Sequence, residues 1–145
     1  MTKDRNFLKC HYPDDVIKKA KHIELLAFDV DGVLTDGGLY YDHEGNELKK
    51  FFAQDGHGIK IVQSIGIEIM IISGRQAACV DHRAQVLGIE YVVQGSRDKL
   101  KSFYDQNISI SLEKVCFVGD DTVDVGILNS VGPVSYTHLT LPTKA

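Results

Sequence analysis

Apolar residues along this chain come in short, nearly unbroken runs, and most runs stop at a residue able to do chemistry. Ile23 to Phe28 stops at Asp29, residues 67–72 (IEIMII) stop at Ser73, and residues 115–118 (VCFV) lead through Gly119 to Asp120 and Asp121. A shorter run, Tyr91 to Val93, ends in Gln94-Gly95. Runs of this kind read as strands buried on both faces of a parallel sheet. Between them lie stretches that fit helices: 57–64, 76–87 with Gly88 as its stop, 98–106 and 122–130. Residues 13–21 form a further short helix with Pro13 near its start. The alternation predicts an α/β fold, a three-layer Rossmann-like parallel sheet with right-handed crossovers.

One segment breaks the alternation. Residues 38–52 (GLYYDHEGNELKKFF) hold two extended pieces about a turn at His43-Glu44-Gly45-Asn46, the pattern of a β-hairpin. A lone hairpin is marginal in water, so this one is expected to pack on something else, another subunit included. Its aromatic residues Tyr40, Tyr41, Phe51 and Phe52 are read as packing, and His43 as solvated. The last stretch, SYTHLTLPTKA (135–145), is threonine-rich and aperiodic, and no strand is expected in it. Residues 1–134 are read as one domain and 135–145 as a non-native tail.

Composition narrows the setting. The 145 residues are 43% hydrophobic and 25% charged, enough for one core, and the net charge is −4. An acidic chain has no general attraction for nucleic acid or anionic membrane, so any phosphate site must be built locally. Cys10, Cys79 and Cys116 fit neither a disulfide framework nor a zinc site, and Cys79 and Cys116 fall in apolar stretches as core residues do. The first ten residues lack the apolar run of a signal peptide or anchor, and a cytoplasmic protein is expected.

In parallel sheets, ligands bind beyond the carboxyl ends of the strands. The groups expected there are Asp29 and Asp31, Ser73 and Arg75, Asp120 and Asp121, with Lys99 opening the helix after the third strand. Asp29, Asp31 and Asp120 would crowd three negative charges together, a cost that a cation removes, and Mg²⁺ prefers such oxygen ligands. Ser73 and the amides after it, read as a helix start, suit an anion, and Lys99 and Arg75 could offset charge on a phosphoryl group. Taken singly, each group has a plainer reading: Asp29-Val30-Asp31-Gly32 as a turn whose aspartates cap a helix, Ser73 as a helix cap, Arg75 as a solvated charge, His57 as a surface or packing residue and Asp36 as structural.

As a set they carry a resemblance. DVDGVLTDG (29–37) resembles the first motif of the haloacid dehalogenase superfamily; Ser73 matches the second, Lys99 the third and GDDTVD (119–124) the fourth. With residues 29–60, IISGR, VVQGSRDKL and VGDDTVD, the chain is similar to the 3-deoxy-D-manno-octulosonate 8-phosphate phosphatases. Related phosphatases of nine-carbon acid sugars share much of the pattern. The resemblance implies a β-hairpin in place of a cap domain, a homotetramer assembled through the hairpins, and a role in lipopolysaccharide precursor synthesis. It implies Asp29 as nucleophile forming an aspartyl-phosphate, and Asp31 as the acid that protonates the leaving oxygen and then activates water. Mg²⁺ would be held by Asp29, the backbone carbonyl of Asp31 and Asp120, supported by Asp121 and Asp124. Ser73, Gly74 and Lys99 would bind the phosphoryl group, with Asp55, Gly56, His57, Gly58 and Arg75 near the substrate.

Two rivals remain. A phosphorylated receiver domain also combines a parallel sheet, acids and Mg²⁺, but its reactive aspartate follows the third strand, where this chain has Gln94-Gly95. The other is an incomplete enzyme with only an oligomer-subunit role. The resembled family continues past the position of Pro133 with a strand, a helix and a tail, whereas SYTHLTLPTKA looks like translated adapter sequence.

Overall fold

The computed structural model describes residues 12–132 and 134–136, the last three by their backbone. In chain order the elements are α1 (Asp14–Ala20), β1 (Leu25–Phe28), β2 (Tyr40–Tyr41), β3 (Glu47–Leu48), α2 (Ala53–Ser64), β4 (Glu68–Ile72), α3 (Ala78–Leu87), β5 (Tyr91–Val93), α4 (Lys99–Asp105), β6 (Val115–Gly119), α5 (Val125–Leu128) and β7 (Val134–Tyr136). Five strands form one parallel sheet in the order β5-β4-β1-β6-β7, and β2 and β3 form a separate antiparallel hairpin.

The strand pleat explains the three layers. Successive side chains on a strand point to opposite faces. Ile69 and Ile71 of β4, with Leu26 and Phe28 of β1, face one side and meet Ile59 of α2 and Val80, Ala84 and Leu87 of α3. Leu25, Ala27, Met70, Ile72, Val115 and Phe117 face the other and meet Phe103 of α4 and Ile127 of α5. Both faces are thus apolar, which is why the strands read as continuous hydrophobic runs rather than as an alternation.

The topology also fixes where a site belongs. From β1 the chain moves outward through β4 to β5, then returns to place β6 on the opposite side of β1. The order therefore reverses between β1 and β6, and the crevice beyond their carboxyl ends is the switch point where ligands bind in such sheets.

Several sequence expectations need correction. Helix α2 starts at Ala53, so Asp55, Gly56, His57 and Gly58 lie within it. Helix α3 starts at Ala78, leaving Ser73 to Gln76 in a turn. The stretch expected as one helix over 122–130 is a 3₁₀ turn (Thr122–Asp124) followed by the four residues of α5. A strand, β7, forms where none was expected: its residues pair with Phe117, Val118 and Gly119 and cover an edge that β6 would otherwise present. The hairpin turn is where the sequence put it, held by the Asp42 carboxylate, which accepts from the amides of Glu44 and Asn46 at 2.9 and 2.8 Å. Cys79 and Cys116 are free and partly buried. Cys10, the N-terminal stretch 1–11 and residues 137–145 lie outside the described residues.

Candidate active site

Asp29 sits one residue past β1, its amide donating to the Val118 carbonyl of β6 at 2.9 Å. That bond ties it to the switch-point crevice. The following loop is held by Thr35, whose buried hydroxyl accepts from the amides of Gly32 and Gly37 and donates to the Val30 carbonyl. Across the crevice, Gly119 ends β6 and the backbone turns through Asp120 and Asp121. Asp124 folds back beneath this turn, and its carboxylate accepts from the amides of Asp120 and Asp121 at 3.2 and 3.3 Å. A Cβ on Gly119 would lie 2.4 Å from Asp124 Oδ2, so a glycine is needed for Asp124 to fit there. Asp121 caps the 3₁₀ turn through the Thr122 amide.

Lys99 arrives from the other side. Asp98 caps α4 by accepting from the Lys101 amide at 3.0 Å, and Leu100 and Phe103 pack α4 on the sheet. Lys99 then points inward, 3% exposed, with its ammonium 2.9 Å from Asp29 Oδ1 and in contact with Asp124 Oδ1. Burial of a lysine demands pairing. Here two carboxylates supply it.

Asp120 completes the cluster. One carboxylate oxygen each from Asp29, Asp120 and Asp124 lie within 4.8 Å of one another. Burial, reinforced by the charges of Asp29, Asp124 and Asp121 and opposed by Lys99, pushes the Asp120 carboxyl up to about 6. Burial likewise raises Asp29, with Lys99 opposing. Such crowding marks a place for a cation. Asp124 is fully buried and already serves Lys99 and two amides, whereas Asp29 and Asp120 both line an open cleft of about 260 Å³. The chemistry of this donor set fits a hard, oxygen-preferring metal ion held by Asp29 and Asp120.

The same cleft is lined by Asp31, Gly32, Gly74, Arg75, Lys99 and Asp121. Asp31 is not one of the three clustered carboxylates, and Lys49 Nζ lies 2.5 Å from its Oδ1. Lys49 follows β3 and also touches Glu47 Oε1 at 2.7 Å; Glu47 Oε2 in turn meets Arg75 Nη2 at 3.0 Å. The Lys49 side chain is only 1% exposed. Burial works against its charge, but hydrogen bonds to Asp31 and Glu47 outweigh that, and its pKa is raised. Sequence reasoning missed Glu47 and Lys49. The signal available was their period-two spacing, which puts both on one face of the hairpin.

Other expectations fare differently. Ser73 is buried, its hydroxyl accepting from the Arg75 amide at 3.2 Å. It shapes the turn bearing Gly74 and Arg75, and it lies ahead of α3 rather than at its start. Asp55, Gly56, His57 and Gly58 do not line the cleft. Gly56 packs under Arg83 and Leu87, while Asp55 and Gly58 border a separate apolar hollow of about 330 Å³. Asp36 is structural, accepting from the Gly38 amide and the Tyr40 hydroxyl.

No protein-family model matches the chain. Individual proteins do. It is 45% identical over 120 residues to the 3-deoxy-D-manno-octulosonate 8-phosphate phosphatase KdsC of Escherichia coli K12, a match covering 81% of this chain and 64% of that protein. The chain thus spans less than two thirds of the length of that relative. It is 40% identical over 143 residues to KdsC of Yersinia pestis, covering 94% of this chain and 76% of that protein. The crystal structure of the Yersinia pestis phosphatase superposes with a TM-score of 0.83 at 39% identity, over 88% of this chain and 71% of that one. The Moraxella catarrhalis 3-deoxy-D-manno-octulosonate 8-phosphate phosphatase, in complex with magnesium, phosphate and KDO, superposes with a TM-score of 0.80 at 41% identity, over 83% and 71%. The parallel sheet with its switch-point carboxylates and these matches together place the chain in the 3-deoxy-D-manno-octulosonate 8-phosphate phosphatase family of the haloacid dehalogenase superfamily.

Proposed function

We propose that the chain is a Mg²⁺-dependent phosphatase that hydrolyses 3-deoxy-D-manno-octulosonate 8-phosphate to the sugar acid and inorganic phosphate. The observation that carries this reading is the cleft in which Asp29 and Asp120 stand together beside the buried ammonium of Lys99.

Asp29 attacks phosphorus and forms an aspartyl-phosphate, splitting one very slow hydrolysis into two easier steps. Lys99 holds the Asp29 carboxylate in line and offsets charge on the phosphoryl oxygens. Asp31 protonates the departing sugar oxygen, then takes a proton from the water that opens the intermediate. Asp29, Asp120 and the backbone carbonyl of Asp31 are the residues for Mg²⁺, which supplies positive charge against the phosphate when bound. Asp121 and Asp124 support that set. Gly74 and Arg75 line the same cleft, with Ser73 beneath them, and would meet phosphate or sugar. Asp55, Gly56, His57 and Gly58 do not line the cleft, and their place near the substrate rests on the resemblance alone.

A homotetramer built through the hairpins is part of this reading. The hairpin region exposes Leu39, Tyr40, Tyr41, Leu48 and Phe52, an apolar surface that a neighbouring copy would cover. Residues 1–134 form the domain, which β7 carries two residues further. A cytoplasmic location is part of this reading; among the described residues no helix is long and apolar enough to cross a membrane.

The test is phosphate release from 3-deoxy-D-manno-octulosonate 8-phosphate beside a panel of other sugar phosphates, with Mg²⁺ and with EDTA. The expected result is Mg²⁺-dependent preference for that substrate, lost in Asp29→Asn. Equal turnover across the panel would remove the substrate assignment, and activity surviving in Asp29→Asn would remove the mechanism.

A further inference from the structure

Asp31 is held from a different element than Asp29 and Asp124. Asp29 is fixed by Lys99, and Asp124 by Lys99 and two amides. The Asp31 side chain is 24% exposed, and its anchor is Lys49 Nζ at 2.5 Å from Oδ1. Lys49 is itself immobilised. Its stem is buried and its ammonium is shared with Glu47 Oε1 at 2.7 Å. Glu47 is fastened by Arg75 at 3.0 Å, beyond the end of β4. A continuous chain of charged contacts therefore runs from the turn after β4, through the hairpin, to Asp31.

A lysine ammonium only donates, so anchoring Oδ1 through Lys49 leaves the second carboxylate oxygen as the one that carries the transferable proton. Proton transfer requires that oxygen within hydrogen-bond reach of the leaving group, and small misplacement is expensive. We infer that Lys49 is a positioning residue for this reaction: it fixes the Asp31 carboxylate for proton transfer to the leaving oxygen, and the hairpin thereby forms part of the catalytic apparatus of its own chain. The inference rests on the assignment of Asp31 as general acid made above.

The experiment is a double-mutant cycle between Lys49→Met, which keeps an unbranched stem, and Asp31→Asn. It reads kcat/KM, which ends at formation of the aspartyl-phosphate and so leaves out the later hydrolysis in which Asp31 serves both substrates alike, on 3-deoxy-D-manno-octulosonate 8-phosphate and on p-nitrophenyl phosphate, whose leaving group needs little protonation. General acid catalysis is typically worth about 10²–10⁴-fold, so Lys49→Met should lose on the order of 10²-fold in kcat/KM on the sugar phosphate. The loss on the aryl phosphate should be much smaller. Lys49→Arg, which keeps the cation, should recover most of the loss. Because Lys49 acts through Asp31, the double variant should be no slower than Asp31→Asn alone. Equal loss of kcat/KM on both substrates, or losses that multiply in the double variant, would reduce Lys49 to a structural role. Full activity in Lys49→Met beside a dead Asp31→Asn overturns this inference alone; full activity in Asp31→Asn overturns the general-acid assignment and this inference with it. If Lys49→Met does not fold, Lys49→Gln carries the same comparison with an uncharged donor.

Discussion

Removal of the Lys99 ammonium tests how the site is held together. In Lys99→Met the stem keeps its length and its packing over the Phe117 ring, where the ammonium now lies 5.7 Å from the centroid. Asp124 suffers most. It is wholly buried, its Oδ2 serves two amides, and its Oδ1 faces only Lys99 among the contacts of the described residues. Asp29 suffers less because it opens on the cleft, where water reaches it. Breaking a buried pair from one side costs about 3–5 kcal/mol. For a chain of this size, each kcal/mol shifts the melting temperature by about 3–4 °C, so a fall of about 10–20 °C is expected. The assay is thermal unfolding by circular dichroism in EDTA. The companion variant, Lys99→Met with Asp124→Asn, removes the stranded charge but keeps an acceptor for the two amides. It should recover at least half of the loss. A single variant melting within about 3 °C of the parent, or a double variant melting below the single one, would refute the account of Asp124 as a charge that depends on Lys99.

Two further outcomes follow from individual positions. At Gly32 the backbone has φ +82°, and an added Cβ would sit 1.9 Å from Asp120 Oδ2. Gly32→Ala should therefore cost about 1–2 kcal/mol in backbone strain and, by displacing Asp120, weaken Mg²⁺ binding about tenfold; an unchanged Mg²⁺ titration by calorimetry would contradict the close approach. Burial pushes the Cys116 thiol up to about 11 from 9.0. The unfolded thiol ionises first as pH rises, so folding stability is unaffected below about pH 9 and is lost progressively between pH 9 and 11. Cys116 should also resist alkylation at pH 8 in the native state, as mass spectrometry after iodoacetamide treatment would show.

The strands and the reactive groups at their ends were legible because both follow from short-range rules. A strand covered on both faces must be apolar throughout, and its end must change character where the backbone leaves the sheet. That logic located β1, β4, β5 and β6 and the polar residues after each. Helix starts were less legible. Nothing local marks Ala53, whose preceding residue, Phe52, makes no side-chain cap. Nor does anything local delay α3 to Ala78, since the Ala77 amide is satisfied by Gln94 Oε1 from beyond β5. Only the assembled fold brings those partners together. β7 shows the same dependence: three residues with little strand pattern of their own pair because β6 offers an unfilled edge.

The hairpin marks where reading by motif stops. Its turn was legible, because Asp42, Gly45 and Asn46 are turn residues for local reasons. Its bearing on the site was not. Lys49 lies 18 residues from Asp31 and Glu47 lies 28 from Arg75, and neither stands at the end of a continuous apolar run or in a glycine-rich turn. A charged residue on a hairpin is most simply a solvated one, and the plain reading holds for His43, whose side chain is 91% exposed. It fails for Lys49 because the bridge between Thr35 and Phe51 lays the end of the hairpin against the loop that follows Asp29. A charge so placed must be paired or expelled, and Asp31 and Glu47 pair it. The hairpin is thus fastened to the acid at the centre of the proposed chemistry, as Lys99 is fastened to the proposed nucleophile. A substitution in it should therefore be read first in the kinetics of the cleft and only then in assembly.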